Sequence, residues 1–86
     1  MSDLNEKFQQ AAIDVKTLTS RPSNEDMLAL YANFKQASSG DVSGKRPGML
    51  DMVGRAKYDA WAGLKGISSD DAKQTYIDTV NRLLGR

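Results

Sequence analysis

The chain has 86 residues, which is enough for one small domain and too few for a multidomain enzyme. Its apolar share of 40% and charged share of 27% suit a globular fold and exclude a disordered chain. Twelve basic residues against eleven acidic ones leave a net charge of +1, which argues against recruitment to nucleic acid by bulk charge.

Cys and His are both missing. Disulfides, thiolate nucleophiles and Cys-based metal sites are therefore excluded, and the usual neutral-pH base and commonest metal ligand are absent. The opening Met1-Ser2-Asp3-Leu4-Asn5-Glu6 has no basic start and no apolar run, so no secretory signal is expected. The longest apolar stretch, Met27 to Ala32, falls far short of the about 20 residues that a membrane span requires. A soluble cytoplasmic domain without metal or cofactor is the expectation.

Four segments carry helical periodicity, and none shows a sustained two-residue alternation. In the first, Leu4, Phe8, Ala12, Val15 and Leu18 recur at steps of three and four, and Arg21-Pro22 stops it. Ser23 and Asp26 form a capping box for the second, whose apolar stripe is Met27, Leu30, Tyr31 and Phe34; it fades at Ser38-Ser39-Gly40. Residues 38 to 48 hold three glycines, three serines and a proline, so they form the one long connection. Asp51 caps a third helix with Ala56, Ala60, Trp61 and Leu64 on one face and Gly66 as its stop. Ser68 with Asp71 caps a fourth, in which Ala72, Tyr76, Ile77, Val80, Leu83 and Leu84 face inward before Gly85. Two tight links and one long one predict an all-α four-helix bundle with a single crossover between helices 2 and 3.

No residue stands out as catalytic. The pairs Glu25-Asp26 and Asp70-Asp71 sit in first turns, where they complement the helix dipole. Ser39 near Lys35 is an ordinary surface pairing. A pattern of interleaved rings and ammonium groups is more informative. Tyr31 and Lys35 are four apart, with Phe34 between them, and Lys57 and Trp61 repeat that spacing. Tyr76 adds a phenol on the fourth helix. Such a surface suits a ligand that combines a base with phosphates. The same rings and lysines would also serve a plain core and its rim. Phe8, Trp61 and Ile77 are expected to be core, Lys45 and Arg46 to lie in solvated loop, and one of Met27 and Leu28 to line an open groove.

Tyr31-Ala32-Asn33-Phe34-Lys35-Gln36-Ala37, Arg46-Pro47-Gly48-Met49-Leu50-Asp51, Ala56-Lys57-Tyr58-Asp59-Ala60-Trp61, Leu64-Lys65-Gly66 and Tyr76-Ile77 follow in order along the chain. In these segments the sequence resembles the acyl-CoA-binding protein family nearly end to end. The resemblance implies an up-down-down-up four-helix bundle, with residues 1–86 as one domain. It also implies non-covalent binding, buffering and intracellular transport of medium- to long-chain fatty acyl-CoA, with no enzymatic activity. It places Tyr31, Lys35, Lys57 and Tyr76 around the CoA head group with Phe34 stacking on adenine, Lys16, Ala32 and Asn33 among the other residues that bind acyl-CoA, and Met27 and Leu28 along the acyl chain. Phe34 stands where Tyr is frequent, Val53 where some members carry Lys, and Tyr58 where many carry Trp. A monomer is expected, in transient contact with membranes or acyl-CoA-using enzymes and not with nucleic acid. The alternative reading is a small helical protein-interaction domain with no lipid ligand.

Overall fold

The computed structural model describes residues 3–86. Four helices form it: α1 (Asp3–Asp14), α2 (Asn24–Ser39), α3 (Met52–Ala62) and α4 (Ser69–Leu83), with a short 3₁₀ turn, Val15–Thr17, after α1. Among the described residues there is no strand. α4 packs against α1 and α2, and α2 packs against α4 and α3, so the order across the molecule is α1, α4, α2, α3. Its Cα extents are 37 × 31 × 15 Å, the shortest of them the depth of two packed helix layers. Every helix keeps exposed residues toward water.

Each cap is local chemistry. The Ser23 hydroxyl accepts from the Asp26 amide and the Ser68 hydroxyl from the Asp71 amide, both at 3.1 Å. The Asp51 carboxylate accepts from the Gly54 amide at 2.9 Å, and a β-carbon at Gly54 would collide with it. α2 stops at Gly40, which takes a positive φ of 80° that other residues resist.

Two boundaries differ from the periodicity. The first helix leaves α geometry at Asp14, four residues before Leu18, and the chain continues as the 3₁₀ turn. The third helix ends at Ala62, and a run of tightened turns carries the chain to Gly66.

The core is small: Phe8, Ala11, Ala37, Ala72, Tyr76, Ile77 and Val80 form its main cluster, with Leu4, Ala12, Val15, Leu30 and Leu84 packed around it. Trp61 is buried apart from it, and its indole N–H donates to the Gly40 carbonyl at 2.8 Å. The residues that α2 buries most deeply are not its apolar stripe, of which Leu30 packs on the core cluster. Ala32, Asn33, Gln36 and Ala37 are buried, whereas Met27 and Phe34 are 39% and 40% exposed. Wedged between α3 and α4, α2 needs small residues for close approach and amides to hold the connections on either side.

Gln36 is the main such holder. Its amide donates to the Asp41 carboxylate at 2.9 Å and to the Ile67 carbonyl at 2.8 Å, while the Gly66 amide donates to the same Asp41 oxygen at 2.8 Å. The Gly66 and Gln36 bonds hold the Asp41 carboxyl below its ordinary value of 3.8. Asp14 is lowered by Gln10 and Arg86, Asp26 by Arg82 and Asp59 by Arg46. A depressed carboxyl contributes stability that is whole above the unfolded pKa and is lost as pH falls through the folded one. Melting temperatures should therefore drop on acidification from about pH 5 to about pH 2. Asp41→Asn should melt lower at neutral pH and show a shallower acid limb. An acid limb of unchanged steepness would count against Asp41 as a contributor.

Candidate functional site

α2 and α3 present their rings and ammonium groups to one another across their seam. The Lys57 Nζ stands 5.4 Å from the centre of the Tyr31 ring, and the Lys35 Nζ stands 4.9 Å from the Trp61 ring. Both are cation–π distances. The i,i+4 spacing suggests stacking within each helix, Tyr31 with Lys35 and Lys57 with Trp61. Instead the partners are exchanged: each lysine reaches over to the ring of the opposite helix. Among the described residues neither lysine forms an ion pair, so both ammonium groups keep their charge free for an anion.

Beside Lys57 the seam opens into an apolar groove of about 310 Å³. Met27 and Leu28 line it from α2, and Met52, Val53 and Ala56 from α3, with Arg21 and Asn24 at the edge. Met27 and Leu28 both reach it, the former 39% exposed and the latter half-buried. Lys57 belongs to the groove lining and to the Tyr31 contact at once, so charge and apolar surface meet at one side chain.

On the other flank of α2, Phe34 lies against Phe8 and Tyr76, at ring separations of 5.4 and 5.8 Å. Phe8 meets Tyr76 edge-on at 5.2 Å. The open side of Phe34 borders a hollow of about 470 Å³ formed with Asn5, Phe8, Gln9, Ala12, Ile13 and Ser38. Tyr76 itself is 5% exposed, and burial raises its phenol pKa above 10.0, so at neutral pH it is a donor. Ala32 and Asn33 are buried in the α2 packing face, and the Asn33 amide is spent on the Ala29 carbonyl at 2.9 Å. Lys16 is exposed on the 3₁₀ turn, whose neighbours Val15 and Leu18 border a further hollow with Met27 and Leu30.

Thus Tyr31, Lys57, Met27 and Leu28 come together, Lys35 lies one turn along the same seam, and Phe34 and Tyr76 form a separate aromatic contact. Spacing alone does not single out Arg21, Asn24, Met52 and Ala56 around the groove, or Gln9 and Ala12 beside Phe34. Two apolar residues straight after a helix cap, Met52 and Val53, are the one local hint. Among the described residues no group of His, Cys, Asp or Glu is placed to hold a metal ion, and no helix is long and apolar enough to cross a membrane.

Fold and groove define a small helical domain whose open face is apolar at one end and cationic at the other. The family model described as acyl CoA binding protein matches residues 5–80, and the chain belongs to that family. An acyl-CoA-binding protein homolog of Manduca sexta is 51% identical over 82 residues, covering 94% of this chain and 91% of the relative. The acyl-CoA-binding protein of Brassica napus is 51% identical over 81 residues, covering 94% and 88%. The crystal structure of Oryza sativa acyl-CoA-binding protein 2 superposes with a TM-score of 0.92 at 43% identity, over 95% of this chain and 89% of that one.

Proposed function

We propose that residues 1–86 act as one domain that binds medium- to long-chain fatty acyl-CoA esters without covalent chemistry, buffers them, and carries them through the cytoplasm as a monomer. Family membership supports the ligand class. The observation that carries the reading is the position of Lys57, with its ammonium over the Tyr31 ring and the residue itself among those that line the apolar groove. An amphiphile with a phosphorylated head and a hydrocarbon tail satisfies both ends of that arrangement.

In this reading Lys57 and Lys35 neutralise the 3′-phosphate and Tyr31 donates to it, with Lys16 adding charge from the turn after α1. Adenine stacks on the open side of Phe34, in the hollow that also holds Ala12. Tyr76, kept protonated, supports Phe34 and assists near the phosphates. Ala32 and Asn33 contribute through helix packing. The chain lies along Met27 and Leu28 and continues past Met52 and Val53. No residue is assigned a catalytic role, and CoA is ligand, not cofactor.

Lys57→Ala should weaken palmitoyl-CoA binding roughly tenfold or more, the scale of one charge-assisted hydrogen bond to the bound phosphate. The ligand-free melting temperature should barely move, since Lys57 is exposed. Calorimetry that returns an unchanged affinity would overturn the assignment. In the parent protein, palmitoyl-CoA at about 100 times its Kd should add about 2.7 kcal/mol of stability. A protein-interaction module would give no thermal shift.

A further inference from the structure

Four large apolar side chains crowd the start of α3 and face water: Met49 is 79% exposed, Leu50 102%, Met52 77% and Val53 67%. They are held there. The Asp51 amide donates to the Gly48 carbonyl at 3.0 Å, closing a turn with Met49 and Leu50 at its apex, and the Asp51 carboxylate caps α3. The preceding chain is fastened down, with the Tyr58 hydroxyl donating to the Gly44 carbonyl at 3.0 Å and the Arg46 fork gripping Asp59 at 2.9 and 2.7 Å. Every one of these anchors draws the connection onto α3 and leaves the apolar apex outside. A contiguous exposed apolar patch on a small domain marks an interaction surface.

Charge identifies the partner. Between residues 45 and 59, Lys45, Arg46, Arg55 and Lys57 oppose Asp51 and Asp59; four minus two is +2, so the rest of a chain of net charge +1 carries −1. Arg46 and Asp59 neutralise each other, which leaves Lys45, Arg55 and Lys57 against Asp51 on the same segment. A second copy would bring two positive rims together. An anionic lipid surface matches both the apolar apex and its cationic rim.

We propose that the Met49–Val53 corner is a lip that dips into an anionic bilayer surface. Met52 and Val53 also wall the groove, so the docked lip turns the groove toward the leaflet and an acyl chain passes between them without crossing water. The passage of a chain rests on the acyl-CoA reading; the docking does not.

The chain has no cysteine, so Leu50→Cys offers a unique attachment point for an environment-sensitive dye. On ligand-free protein, that dye should brighten and shift to the blue with phosphatidylcholine vesicles containing phosphatidylserine. The response should be weak with phosphatidylcholine alone and should fade with salt. The same dye at Gln74→Cys on α4 should not respond. Met49→Ser combined with Leu50→Ser should lower vesicle partition about tenfold, as expected for two apolar side chains lost from an interfacial contact. It should leave palmitoyl-CoA affinity in solution unchanged, because neither residue lines the groove. A silent dye at position 50, or a double variant that partitions like the parent, overturns the lip. So does a concentration-dependent dimer that the double variant abolishes, since the patch then belongs to a second copy. Docking without palmitoyl-CoA binding would sink the ligand reading and leave the lip standing, and the converse result would do the reverse.

Discussion

Lengthening the acyl chain from eight to sixteen carbons should tighten binding by roughly two hundredfold. A fully buried methylene contributes about 0.8 kcal/mol. The groove between α2 and α3 is open along one side, with Met27, Met52 and Val53 all substantially exposed, so about half of that per methylene is the reasonable expectation. Eight further methylenes then contribute about 3 kcal/mol, which at 1.4 kcal/mol per decade is close to two hundredfold. Free CoA should bind more weakly than any ester in the series. Replacing Met27 and Leu28 together by Ala should flatten the dependence on chain length while leaving the affinity for free CoA in place, since the phosphate contacts lie with Lys57, Lys35 and Tyr31. Calorimetric titrations of octanoyl-, dodecanoyl- and palmitoyl-CoA measure the slope directly. Equal affinities across the series would remove the groove from the account and leave only the cationic seam.

What could be foreseen follows from how far each feature depends on distant parts of the chain. The caps at Ser23, Asp51 and Ser68 involve an oxygen and an amide three residues apart, so they are visible in the sequence and present in the structure. Phe8, Trp61 and Ile77 are likewise both apolar in pattern and buried. The inner face of α2 was hidden because it is chosen by two neighbours at once. Periodicity ranks Met27, Leu30, Tyr31 and Phe34 above Ala32, Asn33, Gln36 and Ala37, yet a helix held between α3 and α4 buries the small and amide-bearing residues and leaves the large ones at the edges. That inversion is also what makes a site, because it leaves Tyr31, Phe34, Met27 and Leu28 on open flanks. The exchange of partners between Tyr31–Lys57 and Trp61–Lys35 has no local signature, since it depends on how α2 and α3 are set against each other. The Met49–Val53 lip was equally illegible: four apolar residues beside a helix start look like core until the turn at Gly48 is known to point them outward.

Gln36→Ala should be among the most damaging single changes to the fold, at about 2–3 kcal/mol. The side chain is 1% exposed, and its amide holds Asp41 in the crossover connection and Ile67 in the link before α4. Truncation removes two hydrogen bonds at about 1 kcal/mol each and opens a cavity between helices. For a domain of this size the loss corresponds to a fall in melting temperature of roughly 10–20 °C. One feature works against that figure. The Gln36 Oε1 is buried without a partner among the described residues, and an unsatisfied carbonyl costs free energy comparable to a hydrogen bond. Gln36→Met separates the two contributions, because it keeps most of the volume while deleting donors and orphaned acceptor together. If the bridges to Asp41 and Ile67 outweigh the orphan, the Met variant should still lose about 1 kcal/mol or more, and amides near Asp41 and Gly66 should exchange faster with solvent. A Met variant that melts at or above the parent temperature would show that the orphaned oxygen outweighs both bonds. α2 would then owe its place to helix packing alone, and the crossover connection would be held by Trp61, Tyr58 and Arg46 without help from Gln36.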